Sequence, residues 1–167
     1  RYGAGSYRPA WEQVDVPYSP LLHYKWAKTN EALQNLAGVN SSPFDDVAIE
    51  YSDPVTGGPV LKTMTCWIQM VRAGVHTKAH RHTASKIYQV FRGEGYSVID
   101  GKRFDWSQGD FFVVPSWAWH EHVNESGEEA ILFSIQDTPI MKSLGLYREE
   151  PYVENAGNQP VTSRFEG

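Results

Sequence analysis

The chain reads as an all-β domain, a sandwich or closed barrel, flanked by a short helical arm and a short helix near its end. Three observations carry that reading. Its 167 residues are 41% hydrophobic and 13% aromatic, enough for one good core. From Val47 onward, brief β-rich runs recur every 8–12 residues or so, with Gly-containing turns between them. Asp100-Gly101, between the runs YSVI and RFDW, is a strong hairpin signal.

Residues 1–22 mix Gly, Pro, Tyr and Trp without period and read as an irregular arm that needs a surface to lie on. One helix is expected next, capped by Thr29, running through Glu31, Leu33 and Leu36 and stopping at Gly38. Arm and helix together make up residues 1–45. The barrel, 46–150, is assembled from VAIEY (47–51), TMTCWIQMV (63–71), KIYQVFR (86–92), YSVI (96–99), RFDW (103–106), FFVV (111–114) and AILFSI (130–135), with a DPVTGG loop at 53–58. TPIMKSLGLY, from Thr138, suits a helix with Pro139 in its first turn. Residues 151–167 read as a loose tail.

The net charge of −5, with no block of Lys or Arg, argues against a nucleic-acid surface or a membrane-binding helix. Small molecules or other protein chains are the expected partners. Cys66, the single cysteine, has no partner for an internal disulfide, which fits a reducing compartment and a cytoplasmic location. No apolar run approaches the roughly 18 residues of a membrane span, and residues 1–20 have no signal-peptide layout. The chain begins with Arg1, as a processed chain, an expressed domain or part of something longer would.

His76, His80 and His82 fall within seven positions. His80 and His82 are two apart, so in an extended segment both imidazoles leave the same face and can reach one ion. Taken alone, such a pair also fits ordinary surface chemistry. The frame around it is more specific. Gly74 lies six before His80 and Gly93 eleven after His82, while GDFFVVPSWAWHEHVN (109–124) sets out Gly109, Pro115, His120 and Asn124.

These two blocks resemble the paired signatures of the cupin superfamily, whose fold is a double-stranded β-helix, or jelly-roll barrel. The resemblance implies that His80, His82 and His120 are metal ligands. Two positions depart from the pattern: Trp117 stands at a glycine and Lys86 at the glutamate ligand. An ammonium about 4 Å from a divalent ion costs several kcal/mol even at an effective dielectric near 20. Lys86 therefore either fills the place of a lost metal or carries its charge outward on its flexible stem. Three neutral imidazoles suffice for Fe(II), Mn(II) or Zn(II), and they leave the ion its full charge for a dianionic chelating substrate.

YSDPVTGGPVLKTM (51–64), AHRHTASKIYQV (79–90), FFVVPSWAWHEH (111–122) and LFSIQDTPIMKSLGLYREE (132–150) are similar to gentisate 1,2-dioxygenases and their salicylate and hydroxynaphthoate relatives. That resemblance implies one barrel, the C-terminal one, of a tandem pair. It also implies Fe(II), with Mn, Zn or Ni as alternatives, and extradiol-type ring cleavage of a small aromatic acid by O2. A homo-oligomer or a second barrel is the implied protein partner. By position, Gln69 matches a substrate-contacting glutamine and His122 a proton-handling histidine. Tyr88 stands where the family's catalytic barrel has a carboxylate-binding arginine, leaving substrate charge to the metal and to Arg72 or Arg103. Trp119 is a further candidate for the substrate pocket, although Trp106, Trp117 and Trp119 also read as barrel packing or subunit contact. Gln69, alternating with Trp67 and Val71, also fits a buried glutamine satisfied by backbone groups. The competing function is a structural barrel without chemistry. A metal-dependent isomerase or acid-binding cupin would share the ligands but not the family-specific phrases.

Overall fold

The computed structural model describes residues 10–11 and 22–166. The irregular arm expected over 1–22 lies almost wholly outside them. Helix α1 spans Trp26–Ala37 and stops before Gly38, as expected. Its start is four residues earlier than the Thr29 cap allows. The capping position is Lys25, which makes no side-chain cap, and Thr29 is buried within the helix. Packing sets this start: Trp26 sits 4.5 Å from the Phe91 ring, and Trp26, Leu33 and Leu36 pack on Ile68, Met70 and Ile131.

Eleven strands follow: β1 Val47–Glu50, β2 Thr65–Val71, β3 His80–His82, β4 Lys86–Arg92, β5 Glu94–Ile99, β6 Lys102–Ser107, β7 Phe111–Val114, β8 His120–Val123, β9 Ala130–Gln136, β10 Glu149–Pro151 and β11 Ser163–Arg164. They form two facing sheets of order β1-β2-β9-β4-β7 and β10-β3-β8-β5-β6-β11. Among the described residues only β11 pairs in parallel, on β6. The β5–β6 hairpin turns at Asp100 (φ 47°) and Gly101 (φ 77°), the two left-handed residues that Asp-Gly predicts. Helix α2, Thr138–Ser143, carries Pro139 in its first turn, also as expected. No helix among the described residues is long and apolar enough to cross a membrane.

The interior is divided along the strands. On β2, β4 and β9 the inward positions pass from Val71, Val90 and Leu132 at one end to Trp67, Lys86 and Gln136 at the other. The apolar end joins Trp106, Phe112 and Val114 in the main core. The polar end holds the histidines of β3 and β8.

Within the stretch after 150, Gly157 to Gln159 pack on the barrel, while residues 160–166 are exposed. The Gln159 side chain donates to the Val98 carbonyl at 2.9 Å and accepts from Gly101 N–H at 2.9 Å. Its backbone N–H, with Asn158 Nδ2, donates to the fully buried Glu121 carboxylate at 3.2 Å. These contacts join polar side chains to distant backbone, so no hydrophobic period announces them.

Candidate metal centre

The two-residue alternation of β3 points His80 and His82 inward, and the antiparallel register sets His80 opposite His120 of β8. Their ring centroids are 4.3 Å (His80–His120), 4.8 Å (His82–His120) and 5.4 Å (His80–His82) apart. One ligand atom from each falls within 4.8 Å of the others, and all three residues are buried.

Hydrogen bonding fixes what those rings offer. His82 Nδ1 donates to the Ala84 carbonyl at 2.7 Å and His120 Nδ1 to that of Ala118 at 3.0 Å. In the neutral rings this leaves a bare lone pair on each Nε2. Both Nε2 atoms, and His80 Nδ1, are buried without a hydrogen-bond partner. Buried polar atoms rarely go unpaired, and each costs about 1–3 kcal/mol. Three converging on one region fit a cation. Burial holds His82 down to about 3 and His120 well below the usual histidine range, and it lowers His80. All three are therefore neutral ligands near pH 7.

Lys86 lies on the inward face of β4, and its side chain is only 3% exposed; its charge is not carried outward but turned toward the Asp45 carboxylate, which offsets it within the barrel and leaves the histidines free to hold an ion. Its ammonium lies 3.9 Å from Asp45 Oδ1 and 4.9 Å from the centre of the Trp67 ring. Burial works against the charge, but the Tyr88 hydroxyl and the Asp45 carboxylate outweigh it and raise the lysine's pKa.

His122 is buried on the same face of β8, edge-on to Tyr88 at 5.0 Å. Trp106 Nε1, a donor only, gives its hydrogen to Ser97 Oγ at 3.0 Å. Ser97 lies 2.8 Å from His122 Nδ1 and can give its own hydrogen there. That arrangement puts the imidazole proton on Nε2, which has no partner. Tyr88 is likewise interior, stacked on Phe112 at 4.8 Å. Gln69 is buried, with Nε2 donating to the Asp45 carbonyl at 2.9 Å, so its amide nitrogen braces the loop before β1.

Three expected substrate-binding residues lie elsewhere. Arg72 is committed to Asp46, with Nε 3.0 Å from Oδ1. Arg103 points to the outer face of β6, over the Tyr96 ring at 3.5 Å and paired with Asp105. Trp119 packs against Arg81 at 4.3 Å and Tyr152 at 5.0 Å, on the outside of β3. Arg72 and Trp119 are placed by partners distant in sequence, Arg103 by Tyr96 and Asp105 of its own hairpin. Asp45, Trp67 and Gln136 were missed. The alternation of Trp67 with Gln69 gave its inward direction, but nothing local places Asp45 beside Lys86.

Residues 67–136 match the family model described as Cupin domain, and the barrel is a cupin domain holding a three-histidine cluster. The chain is 41% identical over 169 residues to a 5-aminosalicylate 1,2-dioxygenase of Comamonas sp, covering 99% of this chain and 45% of that protein. It is 32% identical to a gentisate 1,2 dioxygenase of Aquipseudomonas alcaligenes, over 89% of this chain and 42% of the relative. The salicylate 1,2-dioxygenase of Pseudoaminobacter salicylatoxidans, solved as adducts with gentisate, superposes with a TM-score of 0.74 at 33% identity, over 86% of this chain and 40% of that one. The chain thus spans less than half the length of these relatives. The extradiol label expected above is not supported: the relatives' names specify a 1,2 cleavage, and gentisate carries its two hydroxyls para to each other, with no catechol pair.

Proposed function

We propose that this barrel is the Fe(II)-binding unit of a ring-cleaving dioxygenase acting on gentisate-like hydroxybenzoates with O2. The observation that carries the reading is the set of three buried, unpartnered imidazole nitrogens on β3 and β8. His80, His82 and His120 would hold the ion. When bound, Fe(II) supplies a template and an electron conduit between aromatic acid and oxygen. The protein's own residues do the rest. Tyr88 and Phe112 wall the apolar side. His122 presents an Nε2–H that can donate a hydrogen bond to a ring oxygen of the substrate. Gln69 holds the Asp45 loop at the polar end.

Metal analysis of the purified chain beside His80→Ala tests the site: about one ion per chain is expected in the first, and a loss of most of it in the second. Equal content in both would remove the site. An anaerobic gentisate titration of the iron-loaded chain should then raise a charge-transfer band. A scaffold-only barrel, the reading favoured by a lysine at the glutamate position, predicts no stoichiometric metal and no band.

The outer face of the first sheet leaves Ile87, Phe111, Val113 and Ile135 exposed in adjacent rows. The matched relatives are more than twice as long as this chain, which leaves room for a second barrel of similar size to cover that strip.

A further inference from the structure

Among the described residues, Lys86 is the one lysine or arginine that is buried. Its countercharge is loosely applied. Asp45 Oδ1 lies 3.9 Å from Nζ, beyond hydrogen-bond distance, and is itself buried without a partner. Two further buried donors lack partners on neighbouring strands: Nε1 of Trp67, whose ring centre is 4.9 Å from Nζ, and Nε2 of Gln136, the residue directly opposite Lys86 in the β4–β9 register. A buried cation beside two unfilled N–H donors is the donor set of a carboxylate site. Asp45 and Trp67 also line a surface cleft of about 300 Å³ with Ser42 and Leu36, so two of the residues around the ammonium face solvent on their other side. The loop backbone is tied down by Gln69 on the Asp45 carbonyl and by Lys78 N–H on the Pro43 carbonyl. The Asp45 carboxylate has only a 3.4 Å contact from Ser42 Oγ to Oδ2, so it can swing without moving the loop.

We propose that Lys86, with Trp67 Nε1 and Gln136 Nε2, recognises the carboxylate of an aromatic acid bound at the three-histidine centre, and that Asp45 occupies that place until the acid arrives. The proposal rests on the dioxygenase reading and adds to it a residue that selects acids. The glutamate position of the metal pattern has become a substrate contact, and the ligand exchange is one carboxylate for another.

The test uses the purified chain loaded with Zn(II), which is redox-inert, and calorimetric titration with gentisate and with 2,5-dihydroxyacetophenone. The ketone keeps the ortho-hydroxy carbonyl chelate but lacks the carboxylate charge. Lys86→Met should lower the ratio of the two affinities about tenfold and leave the ketone's own affinity within about twofold. Lys86→Arg should restore most of the ratio, and Asp45→Asn should tighten gentisate alone. Melting curves and zinc content accompany each variant, and if Lys86→Met does not fold, the Asp45→Asn result decides. An unchanged ratio in Lys86→Met, or in Asp45→Asn where that decides, overturns the proposal while leaving the metal centre standing. Failure of the wild-type chain to take up zinc sinks the dioxygenase reading and this assignment together.

Discussion

Lys86 and the histidines show what a single residue discloses by its identity and what it does not. His80 and His82 were legible because imidazoles two apart on a strand must share a face, whatever the rest of the chain does, and His120 because it falls on the second block of the cupin pattern. The Lys86 side chain was not: whether it turns inward depends on Asp45, some forty residues earlier, and on the Trp67 ring beside it. Trp117 is a related case. The pattern asks for glycine there, and the residue has φ 65°, so the requirement is on the backbone and the indole meets it at a cost of about 1–2 kcal/mol. At this scale the sharpest expectation concerns Ser97, which satisfies both Trp106 Nε1 and His122 Nδ1. Ser97→Ala leaves two buried groups unpaired. Denaturant unfolding should show a loss of about 2–4 kcal/mol, with metal content unchanged.

All seven β-rich runs become strands, because alternation and β-branched residues fix a half-buried strand locally. The histidine segments β3 and β8 were harder to read. Both faces carry charged or aromatic side chains, and only three or four residues pair. The early start of α1 was unreadable for a different reason, since it is set by Phe91 and the outer face of the first sheet. Asn124, on pattern in the sequence, gains its reason from the element it closes. Its Nδ2 donates to the carbonyls of Val71 (2.8 Å) and Glu128 (2.7 Å), and its Oδ1 accepts from Ser126, so it ties the end of β8 to the end of β2. Asn124→Ala should cost about 3 kcal/mol in chemical denaturation, while the histidine cluster keeps its metal.

For the molecule as a whole, burying neutral histidines links stability to pH. His82 and His122 stay unprotonated in the fold down to about 3, whereas in the unfolded chain each binds a proton near 6.5. Below about pH 6.5 the unfolded state therefore holds more protons than the folded one, and stability falls as pH drops toward 3. Melting temperatures of the metal-free chain should decline across that window. Zinc should raise them at neutral pH and do so less in acid, where protons compete for the same lone pairs. A flat profile between pH 7 and 4 would contradict the burial of these rings. The strand that carries His120 and His122 also carries Glu121 between them, facing the other way and gripped by Asn158 and Gln159. Shifting β8 by one residue would turn a carboxylate into the barrel, strand the imidazoles outside, and leave the closing segment nothing to hold. The contacts of Asn158 and Gln159 therefore match one alignment of the eighth strand, the one that is also metal-competent.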